Sequence, residues 1–247
     1  MSLNNKFRFG IIGGMGTAAG LLFQKMFFEL CHSKGIKSDQ DYPEWIYYNA
    51  SKAPDRTAAI IGESNSPVEY LTEVIRKLDE ANADVIIVAC NTAHAFYDEI
   101  NQHVKLPWVH LQNETARRLK HDEVETAGIL ATEGTIRAGL FSKAFSKLGI
   151  TAVEPSHDSD IQKKISSAIY EKSFGIKNTG SRISEESVNL LQEVLMEMNV
   201  NTVVAGCTEL SFAFSQMDLK LKYYDPMKIA AEILYDLWIG KRAIDSL

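Results

Sequence analysis

The chain repeats itself once. Phe9-Gly10-Ile11-Ile12-Gly13-Gly14-Met15-Gly16-Thr17 is echoed by Ala127-Gly128-Ile129-Leu130-Ala131-Thr132-Glu133-Gly134-Thr135, so that Thr17 and Thr135 lie 118 positions apart. Cys90 and Cys207, each closing a short apolar run, lie 117 apart. Parallel α/β folds contain many strand–turn–helix units, and one resemblance of this kind arises by chance. Two at nearly one offset argue for an internal duplication.

Short apolar runs alternate with longer helical patterns, the mark of parallel sheets built from βαβ units. In the first half the runs are Phe7–Ile12, Trp45–Asn49, Val85–Ala89 and Trp108–Leu111. In the second half they are Thr126–Ala131, Thr151–Glu154, Thr202–Gly206 and Leu221–Tyr224. The expected fold is therefore α/β, with two similar lobes related by a pseudo-twofold axis. Each lobe is a four-stranded parallel sheet flanked by helices, and the functional cleft lies between them. Residues 1–115 form the first lobe and 116–225 the second, and the helix over about 226–247 is free to pack on the first. No Gly/Ser/Pro-rich linker separates the halves, which should pack closely. Ser66-Pro67-Val68-Glu69 reads as a helix cap with a first-turn proline and a capping-box glutamate, and Ser184 as the equivalent cap in the second half.

Composition narrows the function. The net charge is −6 and no basic stripe appears, which argues against a nucleic-acid partner. No apolar run approaches the roughly 20 residues that span a bilayer, and residues 1–6 lack the pattern of a signal peptide. Three cysteines without CxxC spacing give neither a disulfide framework nor a zinc site. These features point to a cytoplasmic protein with reduced thiols and no membrane partner.

Three constellations carry chemistry. Gly13-Gly14-Met15-Gly16-Thr17 follows a strand and opens a helix, so its backbone N–H groups can cradle an anion. The pattern is GGxG rather than GxGxxG, which disfavours a dinucleotide. A plain tight turn is the alternative. Cys90 and Cys207 stand at strand ends before polar segments, where helix N-termini and hydrogen bonds can create a thiolate. Asn91, Thr92 and Thr208 add donors beside them. Cys31, in an amphipathic pattern, reads as a buried hydrophobe. Arg56, in Pro54-Asp55-Arg56-Thr57, falls on the same sheet edge as Cys90 and can grip a carboxylate; a surface charge is an equal alternative. His94, four residues past Cys90, either tunes the thiolate or packs the helix. No histidine or acidic spacing matches a metal site.

These segments resemble the cofactor-independent amino-acid racemases of the aspartate/glutamate racemase superfamily. The matching motifs are GGMGT at Gly13–Thr17, PDRT at Pro54–Thr57, ACNTAH at Ala89–His94, ATEGT at Ala131–Thr135 and GCTEL at Gly206–Leu210, in the family's order. The Gly-Gly-Met-Gly loop and Glu209 resemble the aspartate racemase branch rather than the glutamate one. The resemblance implies Cys90 and Cys207 as catalytic residues. It implies Met15, Gly16, Thr17, Arg56, Asn91, Thr92, Thr132, Thr135, Lys177, Thr208 and Glu209 as substrate-binding residues, with Lys163 and Lys164 as rivals to Lys177. It implies no cofactor, a small dicarboxylic amino acid as substrate, and a homodimer.

Stereochemistry explains the cysteine pair. Inverting a Cα–H centre requires removing a proton from one face and delivering another to the opposite face. Two thiols across a cleft, one deprotonated and one protonated, do both. Without a pyridoxal sink, the carbanion must be met by preorganised donors. Several relatives of the scaffold remain alternatives: a broad-specificity or glutamate racemase, hydantoin racemase, maleate isomerase and arylmalonate decarboxylase. A two-lobed binding module for a small dicarboxylate is the non-enzymatic one.

Overall fold

The computed structural model describes residues 7–180 and 182–247; the polar leader at 1–6 lies outside them. The first half runs β1 (Arg8–Gly13), α1 (Thr17–Ser33), β2 (Glu44–Asn49), α2 (Arg56–Ile60), α3 (Val68–Glu80) and β3 (Val85–Val88). A 3-10 turn over Thr92–Phe96, α4 (Tyr97–Asn101) and α5 (Leu111–His121) complete it. The second half runs β4 (Thr126–Leu130), α6 (Glu133–Arg137), α7 (Leu140–Ser146), β5 (Thr151–Val153), α8 (Asp160–Tyr170), α9 (Ile176–Thr179) and α10 (Glu185–Met198). It ends with β6 (Thr202–Ala205), α11 (Thr208–Phe214), β7 (Lys222–Tyr224) and α12 (Pro226–Trp238).

Each half carries its own parallel sheet, ordered β2-β1-β3 in the first and β5-β4-β6-β7 in the second. β3 and β6, the strands that lead to the cysteines, have no exposed face: Val85–Val88 and Thr202–Ala205 are buried throughout, as strands covered by helices on both sides must be. Equivalent strands share their register. Ile12 of β1 pairs with Val88, and Leu130 of β4 pairs with Ala205. Both cysteines therefore leave their sheets at the same height.

One expected strand is reduced. Of Trp108–Leu111, only Trp108 pairs, parallel to Ile86, through Ile86 N–H to Pro107 O at 2.9 Å and Val109 N–H to Ile86 O at 3.0 Å. The chain turns into α5 at Leu111, capped by the His110 ring accepting from Asn113 N–H, which leaves no length for a strand. The first sheet is thus three strands and a single bridge. The capping box at Ser66 is also displaced: α3 starts at Val68, and Ser66 Oγ accepts from Val68 N–H at 3.3 Å. Ser184 caps α10 as expected, accepting from Ser187 N–H at 3.1 Å.

Two apolar clusters belong to single lobes, one around Leu71, Ile75 and Ile86, the other around Ile165, Leu191 and Val203. The largest is shared. It joins Phe9, Phe23, Phe27 and Ile87 to Ile129, Phe141, Val204 and Trp238. α12 packs on α1 and α5 of the first half. The halves are thus pinned at their backs, and their strand ends face each other. Cys31 lies within the shared core, its thiol pushed up to about 12 by burial, which makes it an inert hydrophobe.

Candidate active site

Strand ends and helix starts bring the functional side chains together. Gly14 adopts φ +84°, and a Cβ there would meet Ala50 N and Ser51 N at 2.6 Å, so the turn after β1 requires glycine. Gly16 is extended, but a Cβ on it would overlap Glu209 Oε1. Only glycine lets the first-lobe loop approach the second-lobe carboxylate. Asp55 caps α2 through Ala58 N–H at 2.8 Å, which sets Arg56 at the helix start. Gly134 lets α6 approach Thr57, whose Oγ1 would lie 2.7 Å from an added Cβ.

A single cavity is lined by Met15, Arg56, Cys90, Asn91, Thr92, Thr132, Lys177, Cys207, Thr208 and Glu209. Asp55, Thr57 and Tyr170 complete its wall. Of the other expected residues, Thr135 sits behind the wall, bonded to Thr92 and Thr132. Gly16 and Thr17 line an adjoining pocket of about 310 Å³ that shares Met15, Arg56, Lys177, Thr208 and Glu209 with the first. Lys163 and Lys164 are elsewhere, paired with Asp160 and with Glu193 and Glu197. The cavity measures about 10 Å³, room for one water.

The two thiols have different neighbours. Cys207 donates its S–H to Glu209 Oε2 at 2.9 Å. Glu209 is 5 % exposed and receives Lys177 Nζ at 2.5 Å and Thr208 Oγ1 at 3.2 Å. Burial would raise the Glu209 carboxyl, but Lys177 and the Cys207 S–H outweigh it and hold the group below the ordinary range. Burial, and then the Glu209 charge, push the Cys207 thiol well above its usual value. Cys207 is therefore held protonated. Tyr170 lies with its ring centroid 5.7 Å from Lys177 Nζ; burial first, then the Cys207 and Glu209 charges, keep its phenol protonated.

On the opposite lobe, Arg56 stands beside Cys90. Burial works against its charge, but Cys90 and Asp55 outweigh that and raise it. Its Nη1 donates to Pro54 O and its Nη2 to Met15 O, each at 3.0 Å, while Nε is buried with no hydrogen-bond partner among the described residues. Asn91 is 2 % exposed. Its Oδ1 accepts from Gln112 Nε2 at 2.9 Å, which leaves Nδ2 unpartnered. Arg56 and Asn91 both line the cavity, and each is a donor type that pairs well with a carboxylate. Thr92, Thr132 and Thr135 close a triangle of hydroxyls at 3.0, 3.0 and 3.1 Å across the lobe boundary. The flank of PDRT signals Asp55 and Thr57 in the sequence; Tyr170 stands in no motif and was not foreseen.

A family model for Asp/Glu/Hydantoin racemase matches residues 12–234. The chain belongs to this family. The racemase is an isomerase of a class that works without pyridoxal phosphate. It is 24% identical over 217 residues to a broad specificity amino-acid racemase, RacX, of Bacillus subtilis (strain 168), covering 87% of this chain and 91% of that one. A glutamate racemase of Oceanobacillus iheyensis is 27% identical over 146 residues, covering 57% of this chain and about half (49%) of that one. In fold, the racemase resembles an aspartate racemase from Picrophilus torridus, with TM-score 0.80, 24% identity and 93% of each chain covered. It also resembles an aspartate racemase homologue from Pyrococcus horikoshii OT3, with TM-score 0.70, 25% identity, and 93% and 98% covered. No helix among the described residues is long and apolar enough to cross a membrane.

Proposed function

We propose that the racemase interconverts L- and D-aspartate by two-base proton transfer between Cys90 and Cys207. The observation that carries this reading is the pair of thiols lining one cavity with Arg56 and Asn91. Cys207 is the protonated partner, for the burial and charge reasons above, so the thiolate role falls to Cys90. The Cys90 thiolate removes the α-proton from one face and becomes a thiol. Cys207 delivers its own proton to the opposite face of the carbanion and becomes the thiolate. The other enantiomer runs the same steps in reverse. Negative charge developing on the α-carboxylate is met by Asn91 Nδ2 and the Thr92 and Thr132 hydroxyls, while the Thr208 hydroxyl is held by Glu209. Arg56, through its unpartnered Nε, and Lys177 take the side-chain carboxylate.

A wider substrate range has one observation in its favour. The adjoining 310 Å³ pocket, walled by Gly16, Ala18 and Phe212, shares the Arg56–Lys177–Glu209 end of the cavity and offers space for longer side chains. A panel of amino-acid enantiomers in deuterated water, scored by NMR for α-proton exchange, separates the two. Aspartate alone, or aspartate foremost, is expected to exchange. Cys90→Ala and Cys207→Ala are each expected to lose racemisation by at least about 10³-fold. Full racemisation in either variant would sink the two-thiol mechanism. A single-cysteine mass adduct with maleate would favour an isomerase instead.

A further inference from the structure

The repeat that places the cysteines also places their fourth neighbours, His94 and Ser211, at equivalent sites. In the second lobe, Ser211 Oγ donates to Asp225 Oδ1 at 2.7 Å, and that oxygen accepts from Met227 N–H at 2.9 Å at the start of α12. The segment after Cys207 is thereby tied to the N-terminus of the lobe's last helix. In the first lobe, His94 makes the corresponding tie. Its Nε2 accepts from Leu111 N–H, the first residue of α5, at 3.3 Å. Its Nδ1 lies 3.0 Å from Cys90 O.

The partners fix the tautomer. A carbonyl only accepts and an amide N–H only donates, so Nδ1 carries the proton and Nε2 the lone pair. Both ring nitrogens are used on backbone, and neither is left for the Cys90 sulfur. The ring is 3 % exposed, stacked on Trp108 at 5.3 Å and 18° and edge-on to His110 at 5.1 Å. Trp108 is itself held by Asn101 Oδ1 at 2.9 Å. An apolar residue of the same size would fill the space but leave a buried carbonyl and a buried amide without this partner.

We infer that His94 is a positioning residue for Cys90, a two-ended brace that fixes the Cys90 backbone against α5 without exchanging protons with substrate. It is the first-lobe counterpart of the Ser211–Asp225 tie, with one difference. His94 clasps the cysteine's own carbonyl, whereas the Ser211 hydroxyl is bonded to Asp225. This inference rests on the two-thiol racemase reading, and wild-type α-proton exchange in both enantiomers tests that reading separately.

The brace is tested with His94→Leu and His94→Asn, using primary isotope effects on kcat/KM measured with α-deuterated L- and D-aspartate. His94→Leu is expected to lower kcat at least tenfold with little change in KM. Its isotope effect should rise for the enantiomer deprotonated by Cys90 and fall towards unity for the other, because only transfers at Cys90 are slowed. His94→Asn keeps an N–H in reach of Cys90 O, and it is expected to recover most of kcat and to reduce the split. Unchanged isotope effects alongside reduced activity would reduce His94 to general packing and overturn the inference. So would wild-type kcat in His94→Leu. If His94→Leu does not fold, His94→Ala takes its place: a split between the two isotope effects supports the brace, and wild-type isotope effects, at wild-type or lowered kcat, reject it.

Discussion

Cys90 and Cys207 occupy equivalent ends of equivalent strands, yet their surroundings are opposite in charge. Cys90 has the Arg56 guanidinium beside it and its carbonyl held by His94. Cys207 has the Glu209 carboxylate at 2.9 Å, with Lys177 beyond it. The duplication supplied two matching backbones, and the neighbours diverged. The two-thiol mechanism proposed above calls for that combination, because its thiols are to reach opposite faces of one carbon and to start in different protonation states. Symmetry of the scaffold gives the first, and asymmetry of the neighbours gives the second.

Glu209 is the quickest way to break the comparison. Glu209→Gln keeps the side chain's shape and removes the charge that, after burial, most raises the Cys207 thiol. Lys177 then loses its buried partner and favours a Cys207 thiolate. The expected result is a loss of kcat/KM of about 10³-fold, roughly 4 kcal/mol of transition-state stabilisation. The pH–rate profile should shift as well, its basic limb moving to lower pH as Cys207 titrates earlier. A variant with a wild-type profile would show that Glu209 does not set the protonation of Cys207.

Acid separates the lobes next. Burial holds His94 down to about 4 and His110 down to about 3 in the folded protein, with His94's own charge a second cause for His110. Both belong to the first lobe, around Cys90. Between the unfolded value of 6.5 and about 4, the unfolded chain takes up a proton that folded His94 refuses. Stability therefore falls as pH drops through that window and is unaffected by it above about pH 7. His94 alone accounts for about 3 kcal/mol of loss by pH 4, a large share of a typical 5–15 kcal/mol. Urea midpoints from pH 7 to pH 4 should decline steeply in the wild type and less steeply in His94→Asn. Equal slopes would place the acid sensitivity outside the Cys90 brace.

How much of this the sequence carried follows from which interactions are local. The strands, the cysteine positions and the cap at Ser184 were legible because each rests on neighbouring residues: an apolar run, a strand end, a side chain reaching three residues ahead. The fourth strand of the first lobe was misread, because Trp108-Val109-His110-Leu111 is as apolar as a strand, and the His110 cap that ends it shows only in three dimensions. Nine of the ten expected residues that line the cavity stand in the motifs that the sequence displays. Lys177 was separable from Lys163 and Lys164 only once α9 was seen to set it against Glu209. Tyr170 escaped notice because its place in the cavity wall is set by neighbours from other elements, Lys177 among them. The role of His94 was open between tuning and packing; the brace inferred above rests on its bond to Cys90 O and on one from Leu111 N–H, seventeen residues on, which periodicity does not encode.

The smallest effect concerns the second brace. Ser211→Ala removes one buried hydrogen bond to Asp225, at a cost of about 1 kcal/mol at pH 7. Burial raises the Asp225 carboxyl, and the Ser211 donor and the Met227 and Lys228 N–H groups pull it partly back. Without Ser211 the folded pKa moves higher still. The sign is opposite to that of His94: folded Asp225 binds its proton more readily than the unfolded chain, so its cost to stability is absent below the unfolded value of 3.8 and appears as pH rises through the folded value. The deficit of Ser211→Ala should therefore be fullest at pH 7 and shrink as Asp225 protonates, while the wild type loses stability through the first lobe over an overlapping range. Thermal denaturation of both proteins across pH 4 to 7 reads the difference. A deficit that stays constant with pH would mean that Ser211 does not steady a charged Asp225. The two braces would then share a position in the repeat but not a physical role.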